Sequence, residues 1–141
     1  MNIVAIGAHP DDLEIFAYGF LAAASSRGDN LTLGVATDGA AGGVNQGAEL
    51  ARQRAEEAKI GLAALGIPTL LDLPDGQLAD APNARNRIGD FIRNATPDLV
   101  ITHAPEDYHP DHRALASYVR DAAGFICPVL FCDTLMGVGF T

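Results

Sequence analysis

The sequence predicts an α/β fold in which a parallel β-sheet is covered by helices on both faces. Strand-like and helix-like segments alternate along the chain, a pattern typical of right-handed βαβ units. The strand-like segments are short and almost continuously apolar, as burial on both faces of a sheet requires. With 141 residues, 48% of them hydrophobic and 19% charged, the chain is predicted to form a single globular domain with a substantial core.

The first half of the chain contains three predicted strands and two predicted helices. The helices carry apolar residues at helical spacing and end at Gly28 and Gly66, while the third strand is closed by a turn at Pro74-Asp75-Gly76. In chain order, these elements are a strand over 2–7, a helix over 12–27, a strand over 31–37, a helix over 48–65 and a strand over 69–73.

The second half continues the alternation. A helix is predicted over 84–95, a strand over 98–102, a helix over 110–123 that begins at Pro110, and a strand over 129–132. The complete order is that of a Rossmann-like sheet. In such sheets, ligands bind outside the carboxyl ends of the strands.

The net charge of −9 limits the classes of partner that the chain is expected to bind. Proteins that bind nucleic acids or anionic membrane surfaces present clustered Lys and Arg, so we expect neither as a partner of this chain. The sequence contains no segment long and apolar enough to span a bilayer, and its first residues lack the basic start of a signal peptide. We therefore expect a cytoplasmic protein that acts on a small molecule.

A first polar cluster, Ala8-His9-Pro10-Asp11-Asp12-Leu13-Glu14, follows the first predicted strand. His9 and Asp12 lie three residues apart across the start of a helix, so both side chains can reach one point above the sheet. Carboxylates are also favoured at a helix N-terminus. The alternative is that Asp11 or Asp12 only caps the helix.

A second polar cluster, running from His103 to His112, follows the fourth predicted strand. His109 and His112 are three residues apart, and Pro110 between them suits the first helical position, which makes His109 a candidate cap residue. The alternative is a pair of solvent-facing histidines. His103 either lines the site or is structural.

Together, the two clusters offer two imidazoles and one carboxylate, the ligand set of a catalytic zinc site with one open position. Nitrogen and oxygen donors without a thiolate also admit other divalent transition metals such as iron, cobalt or manganese.

These motifs resemble the LmbE-like or PIG-L-like family of zinc-dependent N-acetylglucosaminyl deacetylases. The resemblance is carried by the cluster from Ala8 to Glu14 and by His109-Pro110-Asp111-His112, with weaker matches at Thr37-Asp38-Gly39 and Arg54-Ala55-Glu56-Glu57. It runs from Met1 to about Asp133 and implies an LmbE-like fold. It also implies one Zn2+ per chain and removal of the acetyl group from an N-acetylated sugar conjugate.

The resemblance also implies roles for individual residues. His9, Asp12 and His112 would bind the metal, and Asp11 would be the general base. Protonated His109 would stabilise the oxyanion, with Asp111 as a candidate to orient it. Arg54 would anchor the polar part of the substrate; without the resemblance, an arginine on such a charged helix is more often a solvated partner of Glu57.

Family members usually continue well past the point that corresponds to Thr141. We therefore expect residues 1–141 to form a single deacetylase-like domain that lacks the usual C-terminal part. Two alternatives stay open: a metal-dependent amidase acting on a non-sugar N-acyl group, and a truncated, non-catalytic module for binding or assembly. Family members often form homo-oligomers, and the apolar segment from Leu135 to Phe140 would favour such association.

Overall fold

A five-stranded sheet forms the centre of the structure, which is a computed structural model that describes residues 1–133. The strands are β1 (Asn2–Gly7), β2 (Asn30–Thr37), β3 (Thr69–Leu73), β4 (Leu99–His103) and β5 (Val129–Cys132). They lie in the order β3-β2-β1-β4-β5, and all four pairings are parallel. The predicted Rossmann-like α/β fold is confirmed.

The helices also follow the predicted order, with small differences in their bounds. They are α1 (Asp12–Phe16), α2 (Tyr18–Ser26), α3 (Ala48–Leu62), α4 (Ala84–Asn94) and α5 (Pro110–Ala123). The single helix predicted over 12–27 is divided at Ala17, whose φ of −124° departs from helical geometry. Helix α3 ends three residues before the prediction, and the chain closes in a turn in which the backbone N–H groups of Leu65 and Gly66 both bond to the Leu62 carbonyl.

Hydrophobic cores cover both faces of the sheet. Along β1, Val4 and Ile6 belong to one core and Ile3 and Ala5 to the other, because successive side chains of a strand point to opposite faces. The first core includes side chains of α4 and α5, among them Ile88, Ile92, Leu115 and Val119. The second includes side chains of α1, α2 and α3, among them Leu13, Leu21 and Leu62.

The strand order places a topological switch point between β1 and β4. From β1 the chain proceeds outward through β2 and β3, and it then returns to the other side of β1 with β4 and β5. The segments that leave the carboxyl ends of β1 and β4 therefore diverge, and a crevice opens between them. Both predicted polar clusters begin at this crevice.

No helix within residues 1–133 has the length and apolar character needed to cross a membrane. The apolar segment from Leu135 to Phe140, which we expect to favour association, lies outside the described residues.

Candidate metal centre

A cavity of about 270 Å3 lies at the carboxyl ends of β1 and β4. Its lining contains six of the seven predicted site residues: His9, Asp11, Asp12, Arg54, His109 and His112. Asp75 and Tyr108 are among the other residues that line it. The two sequence clusters therefore meet in space, and the interpretation of His109 and His112 as merely solvent-facing is wrong for His112, whose side chain is 2% exposed.

The first cluster is held by an unusual backbone path. Asp11 occupies the N-cap position of α1 with a φ of 109°, a left-handed conformation that is strained for a residue with a Cβ. Within residues 1–133, its side chain makes no capping hydrogen bond. The Asp12 carboxylate accepts a hydrogen bond from the His9 backbone N–H at 2.7 Å, and Asp12 lines the cavity. The interpretation of these carboxylates as helix caps alone is therefore wrong.

The second cluster is positioned by the start of α5. Pro110 is the first helical residue, and His109 is the N-cap: its Nδ1 accepts a hydrogen bond from the Asp111 backbone N–H at 3.2 Å. This confirms His109 as a cap residue. Because Nδ1 is the acceptor, the proton of a neutral His109 lies on Nε2.

Three potential ligand atoms converge between the two clusters. His9 Nδ1 lies 3.1 Å from His112 Nε2 and 3.4 Å from Asp12 Oδ2, and His112 Nε2 lies 3.6 Å from Asp12 Oδ2. Ligands bonded to zinc at 2.0–2.1 Å in a tetrahedron are about 3.3 Å apart. The three donor atoms therefore fit a small divalent metal without rearrangement.

His109 lies beside this triangle. Its ring centroid is 4.6 Å from that of His9 in an edge-to-face arrangement. Donor atoms of His9, His109 and His112 also lie within 4.8 Å of one another, so the distances alone do not separate His109 from the metal ligands. What separates them is that Nδ1 of His109 accepts the capping hydrogen bond, so Nε2 of the neutral ring carries the proton and has no lone pair for a metal.

The far side of the His9 ring is held by two carboxylates. His9 Nε2 lies 3.1 Å from Asp75 Oδ1 and 3.2 Å from Asp111 Oδ2. Burial opposes a charge on His9, but the carboxylates of Asp111, Asp12 and Asp75 outweigh it and raise the pKa of His9 to about 11. His9 is thus oriented with Nε2 toward the carboxylates and Nδ1 toward the candidate metal position.

The Asp111 carboxylate has partners other than the expected one. The family resemblance implies that it orients His109, but it contacts His9 and accepts hydrogen bonds from the backbone N–H groups of Gly76 at 2.7 Å and Leu78 at 3.0 Å. The hydrogen bond between Asp111 and His109 is made through the backbone N–H of Asp111. The side chain of Asp111 therefore ties the segment after β3 to His9.

Asp75 is a site residue that the sequence motifs do not reveal. The sequence assigns it only to the turn after the third strand, yet Oδ1 contacts His9 and Oδ2 accepts a hydrogen bond from the Ala41 backbone N–H at 2.9 Å. Its position directly after a strand is the signal that could have identified it, since all carboxyl ends of a parallel sheet share one edge.

A second residue outside the predicted set is Asp107, whose side chain is fully buried. Asp107 Oδ1 lies 3.0 Å from His112 Nδ1 and accepts a hydrogen bond from the His109 backbone N–H at 2.9 Å. A carboxylate at Nδ1 keeps the proton on that nitrogen and turns the lone pair of Nε2 toward the metal position. Burial and the neighbouring His103 lower the pKa of His112 to about 4, so its imidazole is neutral near pH 7.

Asp11 and Arg54 form an ion pair inside the cavity. Arg54 Nη2 lies 3.1 Å from Asp11 Oδ2, and Nη1 lies 3.5 Å from Glu57 Oε2. Arg54 therefore lies in the site, as the family resemblance implies, and it also pairs with Glu57, as the alternative interpretation expected. Burial raises the pKa of Asp11, although the positive charge of Arg54 opposes that shift.

Solved structures with the same fold belong to proteins whose chains are longer than this one. TT1542, a conserved protein from Thermus thermophilus, is 25% identical with a TM-score of 0.82, and the match covers 96% of this chain and 67% of that one. The N,N'-diacetylchitobiose deacetylase from Pyrococcus horikoshii, in complex with its inhibitor MPG, is 27% identical with a TM-score of 0.80. That match covers 87% of this chain and 49% of the deacetylase. The chain thus spans between about half and two thirds of their lengths.

A third structure shares the fold at lower identity. GalB, the 4-carboxy-2-hydroxymuconate hydratase from Pseudomonas putida KT2440, is 23% identical with a TM-score of 0.77, and the match covers 86% of this chain and 55% of the hydratase. Since a hydratase and a deacetylase both have this fold, the chemistry has to be argued from the side chains.

The sequence pattern of the PIG-L family, described as GlcNAc-PI de-N-acetylase, matches residues 4–123. This segment contains both polar clusters and every residue of the candidate metal centre. The match covers most of the 141 residues, and the resemblance seen in the two motifs is confirmed. The chain therefore belongs to the PIG-L family.

Proposed function

We propose that the chain is a zinc-dependent hydrolase that removes the acetyl group from an N-acetylglucosamine-type substrate. The observation that carries this proposal is the convergence of His9 Nδ1, Asp12 Oδ2 and His112 Nε2 to within 3.1–3.6 Å of one another at the cavity floor. Two imidazoles and one carboxylate are a donor set of catalytic zinc enzymes, in which a further position stays open. The family to which the chain belongs supports the reaction class.

The metal would be held by His9, Asp12 and His112. When bound there, a divalent metal supplies Lewis acidity toward an amide carbonyl and lowers the pKa of water. Zinc suits this mixed nitrogen and oxygen set, and the absence of thiolate among the three ligands also admits iron, cobalt or manganese.

Asp11 is the proposed general base. Its carboxylate lines the cavity, is 45% exposed and is adjacent in sequence to the ligand Asp12, so it reaches water beside the metal position without being a ligand. It accepts a proton from water as the water oxygen bonds to the acyl carbon. When the C–N bond breaks, that proton passes to the departing amine, which leaves acetate and a free amino sugar.

His109 is the proposed donor to the oxyanion that forms at the acyl carbon. Because the Asp111 backbone N–H occupies Nδ1, neutral His109 carries its proton on Nε2 and can donate it to a negative oxygen. Burial is the main cause that lowers the pKa of His109, and in the metal-free site the charge of His9 acts in the same direction. A lowered pKa favours this neutral donor over the protonated histidine that the family resemblance implies.

Arg54 is the proposed anchor for the polar part of the substrate. It lines the same cavity, and one of its guanidinium nitrogens contacts Asp11. A substrate hydroxyl or phosphate group would accept a hydrogen bond from the guanidinium N–H groups that Asp11 and Glu57 leave free. The names of the family and of one relative, GlcNAc-PI de-N-acetylase and N,N'-diacetylchitobiose deacetylase, support an N-acetylglucosamine unit as the substrate class.

Acetate release from a substrate panel tests the proposal. The zinc-loaded chain would be incubated with N-acetylglucosamine, N,N'-diacetylchitobiose, N-acetylglucosaminyl-phosphatidylinositol and non-sugar N-acetyl amines, with the Asp11→Asn variant as the control. We expect acetate from at least one sugar substrate and little from the variant. Release from the non-sugar amines alone would favour the amidase alternative. Zinc binding without any turnover would favour the non-catalytic module.

A further inference from the structure

His103 lies directly beneath the candidate metal centre, as the last residue of β4. Its side chain is fully buried and is enclosed between two rings. The His112 ring is stacked on it, with ring centroids 3.7 Å apart and ring planes inclined by 11°. The centroid of the Phe16 ring lies 4.8 Å from that of His103. From the sequence, His103 is either a lining or a structural residue. The structure shows that it does not line the cavity but supports its floor.

His103 also contacts the Asp12 carboxylate. His103 Nε2 lies 3.0 Å from Asp12 Oδ2, and the Ala8 backbone N–H points at the same nitrogen from 3.0 Å. One nitrogen cannot donate to the carboxylate and accept from the amide at the same time. A bond from Nε2–H to an ionised, buried carboxylate is charge-assisted and is stronger than a bond accepted from a neutral amide. We therefore assign the proton to Nε2.

The oxygen that receives this bond is the one placed to bind metal. Asp12 Oδ2 also accepts the His9 backbone N–H at 2.7 Å and faces His9 Nδ1 and His112 Nε2. The two donors, one from the chain before α1 and one from β4, hold the carboxylate against rotation. His103 thus bonds to one proposed ligand and stacks on another.

We propose that His103 is a positioning residue of the metal centre: its Nε2–H orients the Asp12 carboxylate while its ring sets the tilt of His112. This inference rests on the proposed metal site formed by His9, Asp12 and His112. It assigns His103 no contact with the substrate. Partners of this kind typically change metal affinity by about 10–100-fold when they are removed.

A purely structural histidine would behave differently from a positioning one, and three substitutions separate the two roles. His103→Phe keeps a planar ring between Phe16 and His112 but removes the donor. His103→Gln keeps an N–H donor on a chain long enough to reach Asp12. The matched control is Thr102→Val, which removes the neighbouring buried hydroxyl that donates to the Ile6 carbonyl at 3.0 Å and does not contact the proposed ligands.

The experiment measures Zn2+ affinity of the full chain by competition with a chromophoric chelator, and the visible absorption spectrum of the Co2+-loaded chain. We expect His103→Phe to raise the dissociation constant about 10–100-fold and to change the Co2+ spectrum. His103→Gln should recover most of the affinity, and Thr102→Val should match the wild type in both measurements. A change in folding stability alone would not alter the Co2+ spectrum of the folded protein.

Two results would overturn the inference, and they are distinguishable. If the wild type binds zinc and His103→Phe binds it with the same affinity and the same Co2+ spectrum, the positioning role is wrong while the metal centre stands. If the wild type binds neither ion, the proposed metal centre itself fails. Should His103→Phe not fold, His103→Asn takes its place, because its shorter amide falls short of Asp12. Equal affinities for His103→Asn and His103→Gln would then refute the inference.

Discussion

Gly7, at the carboxyl end of β1, is predicted to be essential to the metal centre although it offers no ligand. The chain turns so sharply after β1 that a Cβ on Gly7 would lie 2.8 Å from Asp12 Cβ and 3.5 Å from Leu13 Cγ. The φ of Gly7 is not in the left-handed region, so the substitution Gly7→Ala tests this lack of space rather than backbone strain. The methyl group of alanine would press directly on the side chain of a proposed metal ligand.

The size of the effect follows from that distance. Carbon atoms in favourable contact are about 3.5–4.0 Å apart, so the alanine methyl and Asp12 have to separate by roughly 0.7 Å. Metal–ligand distances tolerate only about 0.2 Å. We therefore expect Gly7→Ala to weaken zinc binding by about 10–100-fold, the effect of losing a supporting contact. Overpacking should also lower the free energy of unfolding by about 1–3 kcal/mol.

The assay combines urea denaturation in the presence of EDTA with zinc titration against a chromophoric chelator. Gly19→Ala is the matched control, because an added Cβ in helix α2 meets nothing within 4 Å. That control should raise stability by about 0.5–1 kcal/mol and leave zinc affinity unchanged. If Gly7→Ala bound zinc as tightly as the wild type, the close approach of β1 to Asp12 would not determine the position of the ligand.

Three further predictions concern the proposed roles. Asp11→Asn should keep zinc and lower kcat by about 10²–10⁴-fold; a rate near that of the wild type would refute the general base. His112→Ala should lose zinc, whereas His109→Ala should keep it, as measured by metal analysis after dialysis; equal occupancy would contradict this division. Zinc binding at pH 7 should displace about one proton from His9, whose pKa is about 11, so affinity should rise with pH. Calorimetry in buffers of different ionisation enthalpy measures that proton, and no release would contradict the charged state of His9.

The features that the sequence predicts best are those encoded over short distances. The apolar runs identify all five strands, and the Pro110 start and three-residue spacing of His109 and His112 identify the beginning of α5. Even for these elements, local sequence patterns do not give the exact first and last residues. The fourth strand is predicted over 98–102 but is formed by Leu99–His103, and the Asp98 side chain accepts a hydrogen bond from the Asn2 backbone N–H at 2.8 Å.

The supporting residues of the site could not be predicted in the same way, because their roles arise from tertiary contacts. Asp75 reaches His9 from the turn after β3, 66 residues along the chain, and this contact exists only once β3 is in the sheet. Asp111 is in the quoted motif, but its carboxylate bonds to backbone groups after β3 that no local pattern identifies. Similarly, the burial of His103 against Asp12 depends on the pairing of β4 with β1.

The position of the metal ion is the most direct test of the proposed centre. Crystals of the zinc-loaded chain would be measured with X-rays just above and just below the zinc absorption edge, so that an anomalous difference map locates zinc and no other scatterer. We predict one strong peak per chain within bonding distance of His9 Nδ1, Asp12 Oδ2 and His112 Nε2. A peak bound instead through His109, or by Asp75 and Asp111 on the far side of His9, would contradict the assigned ligands. The absence of a peak in crystals grown with excess zinc would contradict the metal centre itself.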